Sequence, residues 1–209
     1  MRNIYLIFKR IIDFTLSLLA IILLSPILLI ISLLIKTQSE GPIFFKQKRI
    51  GKDKKCFNIL KFRTMRIDTP KDTPTHLLKD ANLYITKIGK FLRRTSLDEL
   101  PQIINILKGE MSIIGPRPAL WNQYDLIEER DKYKVNSILP GLTGLAQISG
   151  RDELEIKDKA KYDAEYTQNI SLILDIKIFF KTIFNVFKSD GVVEGCNNED
   201  DKEFNKNVS

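Results

Sequence analysis

Residues 11–35 read IIDFTLSLLAIILLSPILLIISLLI, an apolar run that is interrupted only by Asp13, Thr15, three serines and Pro26. At about 1.5 Å per residue, a helix of this length can cross a bilayer core of roughly 30 Å. The run is too long for a signal peptide, and no small-residue cleavage site follows it. Two interpretations remain open: a helix that spans the membrane, and a helix that enters the membrane and returns.

Basic residues flank this run on both sides. Arg2, Lys9 and Arg10 precede it, and seven basic residues follow it between positions 36 and 55. Because such residues favour the cytoplasmic side, both ends of the run are expected on the same face of the membrane. Ser25-Pro26 lies in the middle of the run, where proline removes a backbone donor and bends a helix. The pattern favours a re-entrant membrane helix that turns at Ser25-Pro26.

One charged residue of the run, Asp13, lies close to the expected membrane interface, with Lys9 and Arg10 one helical turn or less before it. A charge at this depth is costly unless it is paired or functional. We expect Asp13 to form an ion pair with these neighbours that anchors the helix, rather than to take part in a reaction.

The formal charge of the 209-residue chain, +7, is unevenly distributed. Residues 191–209 contain five acidic residues and two lysines, a net of −3, so residues 1–190 carry +10. A basic body points to nucleic acid, anionic lipid or a phosphorylated substrate as the partner, and the apolar run favours the last two. The acidic tail is polar enough to be disordered.

Cysteine and histidine are scarce in this chain. The cysteines are Cys56 and Cys196, too few for a disulfide framework or a four-cysteine zinc site, and His76 is the single histidine. His76 lies in a polar stretch rich in proline and threonine, which is typical of a solvated loop. Chemistry in this chain is therefore expected to rest on carboxylates, basic side chains, or a metal held by oxygen ligands.

The rest of the chain predicts a mainly α fold with a small β-hairpin element. Two apolar runs, 43–45 and 57–60, flank a Gly- and Lys-rich turn and predict the hairpin. The remaining segments predict, in order, a loop (66–82), helices (86–94 and 96–107, the latter ended by Gly109), a loop (111–118), a helix (121–135), a turn (140–144) and helices (162–168 and 172–187). The last helix is amphipathic, and it either packs on the core or lies among lipid head groups. We divide the chain into a membrane hairpin (1–36), a compact domain (37–190) and the tail (191–209).

The most informative segment is RRTSLDELPQIINILKGEMSIIGPRP, residues 93–118. Its part Ser96-Leu97-Asp98-Glu99 has the form of a capping box, in which Ser96 caps a helix and Glu99 reaches back to it. A second interpretation starts from the arginines at 93, 94 and 117, whose guanidinium groups match phosphate oxygens, beside an acidic pair. Such a pair suits a carboxylate nucleophile or ligands of Mg²⁺. On sequence rules alone both interpretations stay open.

A second candidate segment is LPGLTGLAQISGR, residues 139–151. Its glycines permit close approach of the backbone, and Gln147, Ser149 and Arg151 offer polar contacts. The pattern lacks the Gly-Lys-Ser/Thr ending of a Walker loop. Taken alone, it is equally consistent with a glycine-rich turn that binds no ligand.

Together these segments resemble the bacterial sugar transferase family, the monotopic polyprenyl-phosphate phosphoglycosyl transferases. The matching pieces occur in the family's order over roughly residues 5–188: KRIIDF (9–14), Ser25-Pro26, GPIFFKQKRIG (41–51), KFRTM (61–65), the 93–118 segment, PGLTGLAQISGR (140–151) and YDAEYTQNISLILDIKIFFKT (162–182). DELPQ followed by KGEMSIIGPRP is the most specific combination. With no further spanning helices, the chain resembles the small members of the family.

The resemblance implies transfer of a sugar 1-phosphate from a UDP-sugar to polyprenyl (undecaprenyl) phosphate with release of UMP, the first membrane step of glycan assembly. Asp98 matches the family nucleophile, which carries a covalent phosphosugar, and Glu99 matches its partner. Both are the expected ligands of Mg²⁺, the family cofactor. Four arginines are expected to bind substrate phosphates: Arg93, Arg94, Arg117 and Arg151. The predicted substrate site adds Gly115, Pro116, Pro118, Gln147 and Ser149.

The resemblance also implies a place in the cell, at the cytoplasmic face of the inner membrane. Its expected fold is a re-entrant helix with interfacial amphipathic helices around a compact catalytic domain. The re-entrant hairpin is expected to involve Lys9, Arg10, Asp13, Ser25 and Pro26. Many members carry tryptophan where this chain has Leu145, a departure that we interpret as a change in packing or in sugar contact. The expected protein partners are a second copy or glycosyltransferases of the same pathway, and the sugar is not identified.

Two other functions are consistent with parts of the sequence. A non-catalytic membrane scaffold of a glycan-assembly pathway explains the anchor and the basic body, but it gives no reason for an acidic pair beside several arginines. A nucleic-acid-binding protein is suggested by the charge alone. Since the basic residues cluster beside the membrane segment and no nucleic-acid-binding motif occurs, we expect no nucleic acid partner.

Overall fold

The computed structural model describes residues 2–69, 81–150 and 154–188. The predictions for most of the 66–82 loop, for His76 and Arg151 and for the 191–209 tail lie outside these residues. In the described ranges the chain is mostly helical with a small antiparallel hairpin, as predicted. The elements are α1 (Arg2–Gln38), β1 (Phe44–Ile50), β2 (Cys56–Phe62), α2 (Ala81–Tyr84), α3 (Lys87–Arg94), α4 (Gln102–Lys108), β3 (Ser112–Ile114), α5 (Tyr124–Asp131), β4 (Gly141–Thr143), α6 (Leu145–Ser149), α7 (Ile156–Gln168) and α8 (Leu172–Lys188).

The apolar run lies within α1, which continues across Pro26. Pro26 has no N–H to donate to the carbonyl of Ile22 one turn earlier, and the hydroxyl of Ser25 donates to that oxygen instead, at 2.8 Å. The stretch Ile4–Gln38 is long and apolar enough to cross a membrane, and only 11% of its most apolar window is buried by the rest of the chain. The helix therefore accommodates Pro26 and exposes an apolar surface along its length.

Both ends of α1 are attached to the same folded unit. Near its start, the guanidinium of Arg10 donates to two carbonyls at the end of α4, at 2.6 and 2.9 Å. Near its end, Ile31 and Ile35 pack in a core cluster with Phe62 and Leu92. The two attachment points are about 30 Å apart along the helix, a length comparable to the bilayer core.

The predicted β-hairpin is confirmed, with longer strands than the apolar runs indicated. β1 and β2 pair antiparallel from Phe44 opposite Phe62 to Ile50 opposite Cys56. Lysines at positions 46 and 48 belong to β1 and are exposed, so the strand extends beyond its apolar residues. The turn contains Asp53 and Lys54, both with a positive φ.

A loop at 111–118 and a turn at 140–144 were predicted where the structure has strands. β3 and β4 pair in parallel, with Ser112 opposite Gly141 and Ile114 opposite Thr143. A Cβ atom on Gly141 would lie 2.1 Å from the backbone nitrogen of Gly115, so only glycine permits this approach. Strands of three residues contain too little alternation to be recognised in sequence, which explains the error.

The helices agree with the prediction in part. α3 begins after Thr86, whose hydroxyl accepts from the Gly89 N–H at 3.0 Å, and α8 lies where it was expected. The helix predicted at 121–135 is limited to α5, and α7 begins six residues before the predicted start at 162. The segment predicted as one helix at 96–107 is divided into a 3₁₀ turn, Leu97–Glu99, and α4, which ends at Gly109 with φ of 82° as predicted.

The capping box predicted at residues 96–99 is wrong. Ser96 has a left-handed backbone, with φ of 56°, and its side chain makes no capping hydrogen bond. Glu99 forms ion pairs with two basic side chains instead of reaching back to Ser96. These charge-assisted bonds are stronger than a neutral cap and hold the acidic pair in a turn rather than in a regular helix.

Of the two alternatives for α8, packing on the core is confirmed, and a position among lipid head groups remains a prediction. Its inner face, including Ile178, packs in the core with Ile114, Ile138 and Tyr166. A second apolar face is exposed in the described part of the chain: Leu172, Ile173, Ile176, Phe179, Phe180, Ile183 and Phe184. α8 is therefore a core helix that also presents an uncovered apolar surface.

Candidate active site

The acidic pair lies in the 3₁₀ turn between α3 and α4. The flanking residues Leu97 and Leu100 pack against the core cluster that contains Phe62 and Leu92, which fixes the turn to the rest of the protein. Asp98 is 9% exposed. Apolar residues on either side of the pair thus hold two carboxylates at the edge of the core.

Glu99 is held by two cations. Its Oε1 atom accepts from Lys61 Nζ at 2.7 Å and from an Arg117 guanidinium nitrogen at 3.0 Å. Burial would raise the pKa of Glu99, but Arg117 and Lys61 outweigh it and hold this pKa far below its usual range. Glu99 is therefore a permanent anion whose position orients both basic side chains.

Asp98 has a different environment. Among the described residues, no side chain or backbone N–H is hydrogen-bonded to its carboxylate. Burial raises the pKa of Asp98 above its usual value, the Glu99 charge acts in the same direction, and Lys61, Arg93 and Arg117 oppose them. A carboxylate with a raised pKa is more basic and hence a better nucleophile. These five residues, Asp98, Glu99, Lys61, Arg93 and Arg117, form the Asp98 cluster.

The two arginines before the turn have different surroundings. Arg93 Nε donates to Thr64 Oγ1 at 2.9 Å, and its charge acts on Asp98. Arg94, which was also predicted to bind phosphate, has an exposed side chain. The hydrogen bond from Arg93 restricts its orientation, so Arg93 is the better placed of the two to act at the acidic pair.

The predicted phosphate loop, Gly115-Pro116-Arg117-Pro118, directly follows β3. Gly115, Pro116 and Pro118 are buried, whereas the Arg117 side chain is 38% exposed. The Gly115 N–H donates to the Thr143 carbonyl at 2.8 Å, and Arg49 donates to the Pro118 carbonyl at 3.0 Å. Fixed on both sides, the loop directs the Arg117 guanidinium toward Glu99.

The second segment predicted to bind substrate is only partly connected to this cluster. Gly144 lies against the loop, since a Cβ atom there would be 2.1 Å from the Gly115 carbonyl oxygen. Gln147 and Ser149 are on α6, and Gln147 donates to the Leu142 carbonyl at 3.4 Å. Leu145 packs against the core cluster of α7, α8 and β3, which favours packing over sugar contact as the reason for its departure from the family pattern.

Lys61 was missed in the sequence. Its signal is the alternation of β2, in which Phe57 and Ile59 face the same side as Lys61 and pack in the core. A lysine at an inward-facing position of a strand needs a carboxylate partner, and Glu99 provides it. The alternation of β2 therefore predicts a buried partner for Lys61 in the KFRTM segment.

A second buried polar cluster joins α1 to the domain. The Asp175 carboxylate forms an ion pair with Lys9 and accepts hydrogen bonds at 2.7 Å from the hydroxyls of Tyr5 and Tyr166. The Tyr166 hydroxyl oxygen also lies 3.2 Å from the Ile114 carbonyl oxygen. The residues Tyr5, Lys9, Tyr166 and Asp175 form the Asp175 cluster.

The prediction that Asp13 forms an ion pair with its helical neighbours is wrong. In the described chain, Asp13 accepts from Ser112 Oγ at 2.7 Å and from the Ile113 N–H at 3.1 Å. Lys9 pairs with Asp175, and Arg10 bonds to carbonyls of α4. These partners come from distant segments, which neighbour rules along a helix cannot identify.

The acidic pair also bears on metal binding. No group of three or more histidine, cysteine or acidic residues suited to a metal ion occurs among the described residues. Mg²⁺ is commonly held by one or two carboxylates, with substrate phosphates and water as the other ligands. Asp98 and Glu99 are two adjacent carboxylates and fit this way of holding Mg²⁺.

Comparison with known proteins shows one family and several relatives. A family model described as bacterial sugar transferase matches residues 4–189. A UDP-glucose:undecaprenyl-phosphate glucose-1-phosphate transferase from Klebsiella pneumoniae is 41% identical over 90% of this chain and 42% of its own length. The exopolysaccharide production protein ExoY from Sinorhizobium fredii is 40% identical over 88% of this chain and 87% of its own.

A third relative differs in the sugar of its name. The UDP-N-acetylgalactosamine-undecaprenyl-phosphate N-acetylgalactosaminephosphotransferase from Aeromonas hydrophila is 37% identical over 90% of this chain and 45% of its own length. The chain thus spans less than half of the Klebsiella and Aeromonas relatives. It corresponds in extent to most of the Sinorhizobium relative.

Proposed function

The chain belongs to the bacterial sugar transferase family, and from this membership we propose that it transfers a sugar 1-phosphate from a UDP-sugar to polyprenyl phosphate, releasing UMP. The observation that carries the proposal is the Asp98 cluster. In this cluster the Asp98 carboxylate is buried, its pKa is raised, and three cations act on it. The described residues donate no hydrogen bond to it. This combination suits a carboxylate nucleophile for phosphoryl chemistry.

In the first step, an Asp98 carboxylate oxygen attacks the β-phosphorus of the UDP-sugar. A bond forms between this oxygen and phosphorus, the bond from phosphorus to the bridging oxygen breaks, and UMP leaves with that oxygen and its electron pair. Arg117 and Arg93 attract the negative diphosphate and stabilise the charge that develops on its oxygens. These cations are needed because the Asp98 carboxylate and the diphosphate are both anions, and they repel each other as they approach.

In the second step, a phosphate oxygen of the polyprenyl phosphate attacks the same phosphorus atom. The bond to Asp98 breaks, the carboxylate is restored, and the product is a polyprenyl-diphosphate sugar. Glu99 stays ionised throughout, because its pKa lies far below neutral pH, and it keeps Lys61 and Arg117 in place for both steps. No proton has to be stored on the enzyme between the two steps.

Mg²⁺ is part of the proposal. Asp98 and Glu99 would hold it together with oxygens of the diphosphate, and the ion would supply neutralisation of phosphate charge. The chain's own contribution is to hold two carboxylates next to each other on one turn. The Lys61 and Arg117 ion pairs prevent Glu99 from turning away when no substrate is bound.

We further propose that the protein is monotopic, with its catalytic domain on the cytoplasmic face of the inner membrane. Basic residues at both ends of the apolar run support this topology, and so do the contacts of both ends of α1 with one domain. A helix that crossed the bilayer would place these two ends on opposite faces. The exposed apolar face of α8 provides a second surface for the lipid.

A nucleotide-release assay tests the reaction. Detergent-solubilised protein, Mg²⁺ and polyprenyl phosphate are incubated with a panel of UDP-sugars, beginning with UDP-glucose and UDP-N-acetylgalactosamine, which the names of the relatives suggest. UMP formed with one or two of these sugars supports the proposal and identifies the substrate. Release of UDP would mean direct glycosyl transfer and overturn the mechanism. Membrane binding without nucleotide release across a broad panel would favour the scaffold.

A further inference from the structure

A cavity of about 380 Å³ lies next to the first turns of α1 and is lined in part by Ser112 and Ile114 of β3. Its apolar wall is formed by Leu6, Ile7, Ile11, Ile138, Leu139 and Ile170. We call it the α1 cavity. Its volume falls at the lower end of the range for ligand sites, roughly 300–1,000 Å³.

The cavity opens onto the apolar surface of α1. Ile7 and Ile11 line it and yet are 64% and 57% exposed, so the same side chains face both the cavity and the surroundings of the helix. These residues continue the exposed apolar surface formed by Ile4, Phe8 and Ile12. In the proposed topology this surface meets lipid, and an acyl chain would enter the cavity without crossing water.

Cations surround the polar end of the cavity. Lys9, Arg10 and Lys52 line it with a single carboxylate, that of Asp13. The hydrogen bonds of Arg10 go to neutral carbonyls, and no carboxylate of the described residues forms an ion pair with it, while Lys52 is exposed at the hairpin turn. Even with Lys9 neutralised by Asp175, the lining keeps a net positive charge, as Arg10 and Lys52 outnumber Asp13. An apolar wall with a positive rim fits an amphiphile with an anionic head group.

The position of the cavity separates this ligand from the reacting phosphate. Arg10 bonds to carbonyls at the end of α4, whereas Asp98 lies before the beginning of that helix. The seven residues of α4 correspond to about 10 Å. A phosphate bound by Arg10 and Lys52 therefore lies too far from Asp98 to react with it.

We propose that the α1 cavity binds an anionic phospholipid of the bilayer, whose phosphate lies near Arg10 and Lys52 and whose chain begins along Ile7 and Ile11. The lipid remains bound through turnover and is neither substrate nor product. Its role is to fill the space between α1 and β3 and so to fix the start of the membrane helix on the domain. The inference rests on the membrane attachment of α1 and does not depend on the transfer reaction.

Native mass spectrometry of the full-length protein tests the proposal. The protein is exchanged into detergent containing either phosphatidylglycerol or phosphatidylcholine, and bound lipid and unfolding midpoint are measured for each. We expect one phosphatidylglycerol to remain bound and to raise the midpoint more than phosphatidylcholine does. Equal retention of the two lipids, or retention of neither, would overturn the proposal.

Two variants connect the result to the cavity. Lys52→Glu should weaken phosphatidylglycerol binding roughly fivefold or more, since one basic group near anionic lipid contributes about that factor. Lys55→Glu, a charge change on the same turn outside the cavity lining, should leave it nearly unchanged. Equal losses in both variants would mean surface attraction only. A raised KM for polyprenyl phosphate in Lys52→Glu, with phosphatidylglycerol binding intact, would assign the cavity to the acceptor instead.

Discussion

The two buried polar clusters contain similar residue types but differ in how completely their charges are paired. In the Asp175 cluster, one carboxylate meets one lysine and two hydroxyls, and both carboxylate oxygens accept hydrogen bonds. In the Asp98 cluster, two carboxylates lie among three cations, and the described residues donate no hydrogen bond to one of these carboxylates. A fully paired cluster stabilises the fold, whereas a cluster with more cations than carboxylates is suited to an anionic ligand.

The largest expected difference between the clusters is in activity. Asp98→Asn removes the proposed nucleophile without changing its size, so UMP release should fall by about four orders of magnitude or more. Asp175→Asn should leave the turnover of the folded protein within about a factor of three, because Asp175 does not contact the Asp98 cluster. Initial rates of UMP formation per folded molecule check both. Comparable losses in the two variants would remove the functional distinction.

For stability, the larger effect is expected from the Asp175 cluster. Asp175→Asn leaves Lys9 buried without its counter-charge, and breaking a buried pair in this way costs about 3–5 kcal/mol. The unfolding midpoint in detergent, measured by loss of helical circular dichroism, should fall accordingly. The double variant Lys9→Met/Asp175→Leu is the matched control and should recover much of the loss, since it removes both charges. If the single variant unfolds like the unmodified protein, the cluster is not an anchor.

Within the Asp98 cluster, adjacent carboxylates should respond to pH in opposite directions. The pKa of Glu99 is depressed, so its stabilising effect is present above its usual value of 4.5 and is lost as the pH falls. Glu99→Gln should therefore destabilise the protein at pH 7 by about 1–3 kcal/mol, the worth of charge-assisted hydrogen bonds, and by less in acid.

The raised pKa of Asp98 predicts the opposite effect on stability. Above its usual value of 3.8, the unfolded chain loses this proton more readily than the folded chain, so ionisation of Asp98 favours unfolding. Asp98→Asn should raise the unfolding midpoint at pH 7, and the gain should disappear as the pH falls below 3.8. Thermal melts from pH 3 to pH 7 without Mg²⁺ or substrate check both variants. If Asp98→Asn and Glu99→Gln shifted the unfolding midpoint at pH 7 in the same direction, the two carboxylates would share one environment.

How far the sequence predicts these features depends on the range of the interactions. The hairpin, α3 and α8 follow from local alternation and periodicity, and the structure confirms them. The segment 93–118 indicated that Asp98, Glu99 and Arg117 lie close together, and the ion pair between Glu99 and Arg117 agrees with this, while their roles remain predictions. Motif order carried that information because all three residues belong to one short segment.

What the sequence did not predict depends on partners far apart in the chain. Lys9 and Asp175 are separated by 166 residues, and Asp13 and Ser112 by 99, so no local pattern joins them. The parallel pairing of β3 with β4 depends on close approach at Gly141, which three-residue strands do not reveal. The predicted capping box is wrong for a related reason, because Lys61 of β2, distant in the chain, pairs with Glu99.

The smallest expected effects come from removing one hydroxyl in each cluster. Tyr166→Phe removes one donor to Asp175, whose carboxylate keeps its bonds to Tyr5 and Lys9. We expect a loss of stability of about 0.5–1.5 kcal/mol, the usual worth of a hydrogen bond. Thr64→Val removes the acceptor of Arg93 at similar size, so its cost in stability should be comparable.

The KM for the UDP-sugar should separate these two variants. In Thr64→Val, the Arg93 guanidinium loses the hydrogen bond that restricts it and must be ordered when the diphosphate binds, which should raise KM roughly threefold to tenfold at similar kcat. In Tyr166→Phe, the Asp98 cluster keeps all its contacts, and KM should not change. Because both variants lose one buried hydroxyl, a general weakening of the fold would affect them alike. Only a difference in KM between them supports assigning ligand binding to the Asp98 cluster and structural anchoring to the Asp175 cluster.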